Sequence, residues 1–472
     1  MKSILVGNGI NIQFANAAYS SEFIIKRAYF NSMQGKYDSL FNNEISGKEV
    51  ASIIKSFIII GNNILEDKFS YVEEPILREA IEDFKRRYRH IRLFAKYPQI
   101  MLEDWFLLIK LFFVENEDVE DQWLSAKQGF EQIFLDAIYN DGYIENIHSK
   151  MTKKVAKYFK DFDCIFSLNY DSNIESLIKK DVFHLHGCYN ILSDGENKNT
   201  ILGYIRFING EQVLQEHMKH CFCNALLDYS GRLKKARTEQ IDKLSTEIDR
   251  LRQLNLCNPP EYERYIGEIK KRDEHSYNVI TTSIDNPLLS AGTNYHFIDL
   301  SVLTGELVIL GVSPNNDAHI FESINKSAVE KVYFYNYGSL DVTLPITKPY
   351  EILNVDDLWN KLNAKKKVYN TKVVLPNNPK IKDFFKLFDS ISLDSEPEEI
   401  VVKELSKIPQ FEVDRLCNLT MKLLKQQKAD GSPKSEEELL IQFSKISSIA
   451  LREGILPKTL FLLTIMNFDK NK

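Results

Sequence analysis

Four short apolar runs in this chain each break off in a small or polar cluster: residues 3–6, 163–168, 182–185 and 307–310. A fifth apolar run follows at 331–336. Runs of four to six residues without polar alternation read as strands buried on both faces, which is the condition of a parallel sheet. Parallel strands need long crossovers, and helical patterns fill the intervals between these runs. The small and polar residues then gather at the carboxyl ends of the strands, where an open α/β sheet forms its ligand crevice.

The intervals are long. Residues 20–160 carry apolar positions at helical spacing, such as Phe84, Tyr88, Ile91 and Phe94, then Phe106, Ile109 and Phe113. This predicts a helical insertion. A second insertion covers about 205–300. In it Ile241, Leu244, Ile248 and Leu251 form a heptad-like stripe, and Pro259 and Pro260 end that helix. Tyr262, Ile266 and Ile269 mark a second helix, so a helical hairpin is expected. Beyond 345 the prolines Pro345, Pro349 and Pro376 punctuate a connecting region. Helical patterns near 410–427 and 433–453 flank a turn at Asp430–Pro433. The expected architecture is α/β: a Rossmann-like parallel sheet with large helical insertions over 1–345, then a small, mainly helical C-terminal domain over 346–472.

Charge and composition narrow the partners. The formal net charge of −6 gives no basic excess for a nucleic-acid footprint. Lys55 and Lys110 interrupt the most apolar stretches, which fall short of the roughly 20 residues that span a bilayer. The six cysteines include no CxxC pair and no disulfide framework, and no signal peptide is evident, so a cytoplasmic protein is expected.

Four motifs sit at the predicted strand ends. Gly7, Asn8 and Gly9 follow the first strand, with Ile10 and Asn11 behind them. Glycines there let a pyrophosphate approach the backbone, or they make an ordinary turn. Position 12 is Ile where GxGxxG needs a third glycine. Asn169, Tyr170 and Asp171 end the second strand, with an amide and a carboxylate two residues apart. They point into a crevice or form an Asx turn or helix cap. His184 and His186 alternate along the third strand onto one face, and Gly187 ends it. His186, nearer the crevice, is the candidate general base; a structural histidine pair is the alternative. Gly311 and Ser313 follow the fourth strand, with Asp317 and His319 close behind. They contact phosphate or ribose, or they form a strand-to-helix turn capped by Asp317.

Taken in order, these motifs resemble the sirtuin family. Its pattern runs GAGxS, then NxD, a catalytic HG, and a GxS turn. The segment Phe166–Asp171 is particularly similar to the TNYD form of sirtuin-like proteins of bacterial antiphage defence. Gly7, Asn8 and Gly9 before an apolar residue also resemble the AbiH abortive-infection family. The resemblance covers roughly 1–15, 160–205 and 300–340. It implies a hydrolase that breaks the nicotinamide–ribose bond of NAD, with NAD as substrate and no metal. By the same resemblance, Asn169 orients the ribose and attacking water, Asp171 holds the nicotinamide carboxamide, and His186 is the general base toward a ribose hydroxyl or water. Gly7, Asn8, Gly9 and Asn11 cradle the pyrophosphate, Gly311 and Ser313 line the phosphate or ribose, and Asn336 reaches the adenosine half.

The departures from the family matter. The zinc ribbon of protein-deacylating sirtuins is absent. Ile12, Gln13, Phe14 and Ala15 stand where their Gly-Ile-Pro-Asp-Phe-Arg-like segment would be. Both losses argue against deacylation and resemble NAD-depleting members. A non-hydrolytic nucleotide-binding sensor is the main alternative, and a protein deacylase or ADP-ribosyl transferase a lesser one. His217, His220, Cys221 and Cys223 are zinc-type ligands, but four ligands in seven residues strain a tetrahedral site. The restraint that a toxic hydrolase requires implies a homo-oligomer or a regulatory partner, with no membrane and no nucleic acid.

Overall fold

The computed structural model describes residues 1–41, 45–94, 99–115, 123–191, 200–201, 204–205, 216–225, 232–272, 274–285, 295–314, 316–364, 370–374, 399–403, 415, 418, 420, 432, 434–457 and 460. The chain divides into two compact units. The first is Met1–Ile10 with Met151–Asn363, and the second is Asn11–Lys150 with Ala364–Lys472.

The first unit is built on a six-stranded, all-parallel sheet. Its strands are β1 (Lys2–Val6), β2 (Cys164–Ser167), β3 (Phe183–His184), β4 (Thr304–Leu310), β5 (Ala328–Asn336) and β6 (Tyr350–Asn354). They lie in the order β3-β2-β1-β4-β5-β6. This is a doubly wound order, with its switch point between β1 and β4. Consecutive residues Ile4, Leu5 and Val6 are all fully buried, as a strand covered on both faces requires. The same core takes in Phe166, Leu307, Ile309, Val332 and Phe334, packed against Ile320, Phe321 and Ile324 of the helix Ala318–Lys326. Each such side chain contributes roughly 1.5–3 kcal/mol of burial.

The register sets the site. His184 pairs with Ser167, Ser167 with Val6, Val6 with Leu310, Leu310 with Tyr335, and Tyr335 with Leu353. One row of paired residues therefore crosses the whole sheet, and the polar and glycine clusters come directly after it.

β6 lies beyond residue 345, where the sequence reading expects a connecting region. Tyr350 and Glu351 are exposed on this edge strand, so no continuous apolar run marks it. The helix Val355–Lys361, capped by Asn354, also belongs to this unit. In the 205–300 insertion, the helices Arg232–Cys257, Pro259–Arg272 and Glu274–Asp285 share a small core of Ile248, Leu251, Tyr262, Ile266 and Ile280. The expected hairpin is thus three helices, and they cover the Ile248–Leu251 part of the stripe themselves. The side chains of Ile241 and Leu244 lie outside the described residues.

The second unit is mainly helical among its described residues. Its helix Ser21–Met33 buries Phe23, Ile25, Ala28 and Phe30 and packs against Glu436–Arg452. The latter begins with a capping box at Ser435 and Glu438, close to the predicted 433–453. Most of the pattern near 410–427 lies outside the described residues. An antiparallel pair, Asn370–Val374 with Glu399–Lys403, lies in the stretch read as a connecting region. The fully buried Arg27 donates to the carbonyls of Ala18, Ala137 and Leu451. Asp104, also buried, accepts from both terminal nitrogens of Arg87 at 2.6 Å and from the Tyr88 hydroxyl at 2.7 Å. Removing this carboxylate takes two hydrogen bonds from a largely buried guanidinium, whose Nε still donates to Asp83 at 3.0 Å. Asp104→Ala is therefore expected to lower stability by about 1–3 kcal/mol, read by denaturant unfolding. Among the described residues, no helix is long and apolar enough to cross a membrane.

Candidate functional site

The loops after β1 and β4 meet backbone to backbone. Gly7 N–H donates to the Leu310 carbonyl at 2.9 Å, and Gly9 N–H to the Gly311 carbonyl at 3.0 Å. A Cβ on Gly7 would lie 2.5 Å from the Gly311 oxygen, and one on Gly9 2.6 Å from the Gly311 Cα. Gly311 itself has φ +73°. Gly7, Gly9 and Gly311 thus share one close packing at the switch point, where an open α/β sheet accepts its ligand. Asn8 is exposed at the tip, and Ser313 is half-buried after Gly311. Asn11 is buried and belongs to the second unit.

Asn169 and Asp171 come off β2 and are 8% and 4% exposed. The Asn169 amide nitrogen donates to the Gly7 carbonyl at 3.3 Å, tying the β2 and β1 loops together. Asp171 Oδ1 accepts from Asn173 N at 3.1 Å and from Asn173 Nδ2 at 2.6 Å. The Asx turn is therefore formed, and it starts the helix Asn173–Ile178.

The two histidines part company. β3 ends at His184, so strand alternation does not extend to His186, and the pair does not share one face as expected. His184 Nδ1 donates to the Asn169 carbonyl at 2.9 Å, and its Nε2 to Glu175 Oε1 at 2.5 Å. Burial opposes a charged ring here. The hydrogen bond and charge of Glu175, with the Asn169 carbonyl, outweigh it and hold His184 above its usual value. A raised folded-state value means that this stabilisation is complete below the unfolded histidine value of about 6.5 and is lost as pH rises through the folded value. The melting-temperature advantage of the wild type over His184→Ala is expected to be greatest below about pH 6.5 and to shrink as pH rises above it.

His186 turns the other way. It is 5% exposed, and its Nε2 lies 3.0 Å from Nε2 of His319, which is 1% exposed. The ring centroids are 5.2 Å apart and the planes differ by 18°. The centroids are therefore farther apart than the nitrogens by almost a full ring width. The rings meet head-on, nitrogen facing nitrogen. Burial first, then the charges of Lys234 and His319, hold His186 well below its ordinary value. Behind it, Gly187 adopts φ +79° with Asn224 pressed against it, and Cys188 N–H donates to Asn224 Oδ1 at 2.8 Å. Asn336 ends β5 and donates to the Ser339 carbonyl at 2.6 Å, closing its own turn.

Asp317 joins this cluster. Ligand atoms of His186, Asp317 and His319 lie within 4.8 Å of one another, the one such group among the described residues. The His217, His220, Cys221 and Cys223 run does not converge in this way. A metal requires the two imidazole lone pairs to meet at a point about 2.0–2.1 Å from each nitrogen. Here the opposed rings aim their Nε2 atoms at each other rather than at a common point, and the buried Lys234 adds a nearby positive charge. Comparison with family models, curated proteins and solved structures finds no match for this chain.

Lys234, Glu175 and Asn224 escape the sequence reading. Lys234 opens a helix crowded with Lys and Arg, where nothing sets it apart. Asn224 comes just after the Cys221–Cys223 run, which draws attention to metal binding instead.

Proposed function

We propose that this chain hydrolyses NAD, releasing nicotinamide and ADP-ribose, and that it acts as the NAD-depleting effector of an antiphage defence system. The observation that supports this most is the convergence of the Gly7–Gly9 turn, Asn169 and Gly311 at the switch point of a doubly wound sheet, with His186 two residues beyond the aligned end of β3. The defence role rests on the resemblance of the Phe166–Asp171 segment. Cleavage builds positive charge on the ribose as neutral nicotinamide departs with the bonding pair. The protein then supplies orientation and electrostatics more than nucleophilic force. Asn169, held against the Gly7 carbonyl, orients the ribose and water. The Gly7–Gly9 and Gly311–Ser313 loops border the pyrophosphate, Asp171 the carboxamide, and Asn336 the adenosine. His186 takes the proton of the water that attacks the ribose. Its depressed value keeps the ring unprotonated, so the acid limb of the pH–rate profile is expected below about pH 6.5. A limb above that value counts against His186 as the base.

No metal enters this reading. Chelation is expected to leave turnover and fold unchanged, and stoichiometric zinc in purified protein defeats that expectation. The direct test of the function is nicotinamide release from NAD by the full chain, assayed alone and with the products of neighbouring genes. A homo-oligomer or regulatory partner is part of the proposal, because an unrestrained hydrolase kills its host.

A second reading is a nucleotide-binding sensor without hydrolysis. It is favoured by the internal engagement of Asn169 with Gly7, and of Asp171 with Asn173. Tight NAD binding with no nicotinamide release selects it.

A further inference from the structure

We propose that His319 is a positioning residue that fixes which ring nitrogen of His186 carries the proton. Its consequence for turnover rests on the hydrolytic reading above; its consequence for the ring does not.

The two Nε2 atoms face each other at 3.0 Å, and a contact of that length between nitrogens holds one proton. Two arrangements are open to a neutral pair. In one, His186 donates through Nε2, its Nδ1 keeps a lone pair, and His319 carries its own proton on Nδ1. In the other, His319 donates, the Nε2 lone pair of His186 is consumed, and His186 carries N–H at Nδ1. Only the first leaves His186 a nitrogen that accepts a proton from water. The partner of one ring nitrogen thus decides whether the other is a base.

His319 is built to hold such a partner still. It sits on the first turn of the helix Ala318–Lys326, beside Ile320 and Phe321 in the core under the sheet. Its ring lies 5.9 Å from that of Phe297, and its carbonyl accepts from Ser323 Oγ at 3.2 Å. Asp317, two residues earlier, brings a carboxylate within 4.8 Å of the pair and offsets charge that forms there. Lys234 acts in the opposite sense and disfavours a charge on His186. In the reaction, the proton leaves water as its oxygen bonds to the ribose carbon and nicotinamide departs with the glycosidic electron pair. That proton arrives on His186 Nδ1, and the Nε2 proton passes to His319 Nε2. The charge then rests one ring farther from the ribose. No other reactant is needed.

The experiment is ring nitrogen NMR on full-length protein labelled in histidine, with the His186 signals assigned by their loss in His186→Gln. Wild type is expected to show protonated Nε2 and unprotonated Nδ1 on His186. In His319→Phe, which keeps bulk but removes the acceptor, the proton is expected to spread over both nitrogens. In His319→Gln, whose side-chain oxygen accepts, the wild-type form is expected to return. Nicotinamide release is expected to follow: kcat about 10-fold lower or more in His319→Phe, KM within about 2-fold, and most of kcat restored in His319→Gln. A merely structural His319 gives the opposite order, with Phe tolerated and Gln not. If His319→Phe does not fold, His319→Asn, too short to reach, replaces it. A wild-type His186 protonated on Nδ1, a proton position unmoved by the substitution, or a metal ion bound by both rings overturns the proposal. The expected ring behaviour without any NAD cleavage leaves the positioning intact and removes the hydrolytic reading.

Discussion

Replacing His186 with alanine is expected to lower nicotinamide release at least about 100-fold, the usual scale for losing an acid–base group. Asn169→Ala is expected to do the same by a different route. Its amide nitrogen is tied to the Gly7 carbonyl, so the variant loses both the orienting group and the link between two loops. Both residues are more than nine-tenths buried, so truncation costs stability as well as turnover. Each deletion removes one partner of a buried hydrogen bond, worth about 1–3 kcal/mol. The test therefore pairs kinetics with unfolding, and uses His186→Gln to retain volume. A folded His186→Gln with wild-type turnover removes His186 from the reaction. Folded Asn169 variants that bind NAD but fail to cleave it support an orienting role, whereas loss of binding makes Asn169 part of the loop scaffold alone.

The strand ends were legible because burial on both faces leaves a continuous apolar run, and a strand in a parallel sheet must stop where its crossover begins. Val6, Ser167, His184 and Leu310 fall in one paired row, so the clusters read off the sequence do lie along one edge. The course of the chain past His184 was not legible. Period-two reasoning carries His186 onto the face of His184 only while the strand continues, and here it ends at His184 itself. The partners of His186 and of Cys188 were hidden for another reason. His319 stands 133 positions away, and Asn224 stands 36 beyond Cys188. No local pattern encodes such a meeting, because it depends on where two crossovers bring their first turns. β6 was missed because an edge strand shows half its residues to solvent and leaves no apolar run. The joining of residues 11–150 with 364–472 in one unit is likewise a property of helix faces that match in space. Charge patterning gave no hint of Lys234, which is buried although its helix is crowded with Lys and Arg.

Gly187→Ala is expected to be the most damaging glycine-to-alanine change among the described residues of the first unit. Two costs combine. The residue has φ +79°, a region that costs an L side chain roughly 1–2 kcal/mol. Its Cβ would also fall 2.2 Å from the Asn224 carbonyl oxygen and 2.6 Å from the carbonyl carbon, both backbone atoms. Neither can rotate aside. The segment is pinned further by Cys188 N–H on Asn224 Oδ1 and by the Tyr295 hydroxyl on the Asn224 carbonyl at 3.1 Å. Overpacking against fixed atoms adds about 1–3 kcal/mol, so a loss of about 2–5 kcal/mol is expected. Gly267→Ala is the matched control. That glycine lies within the helix Pro259–Arg272 with nothing within 4 Å of its Cβ position. Helix propensity alone then favours alanine, by up to about 1 kcal/mol. Denaturant unfolding, combined with hydrogen exchange at the amides of β1, β2 and β4, reads the first unit separately from the second. Equal stability of the two variants contradicts the Gly187–Asn224 contact. A destabilised Gly187→Ala that still folds carries a second consequence, because relief of the clash must move the chain beside His186. Any shift there disturbs the head-on meeting with His319, so turnover is expected to fall further than the folded fraction does.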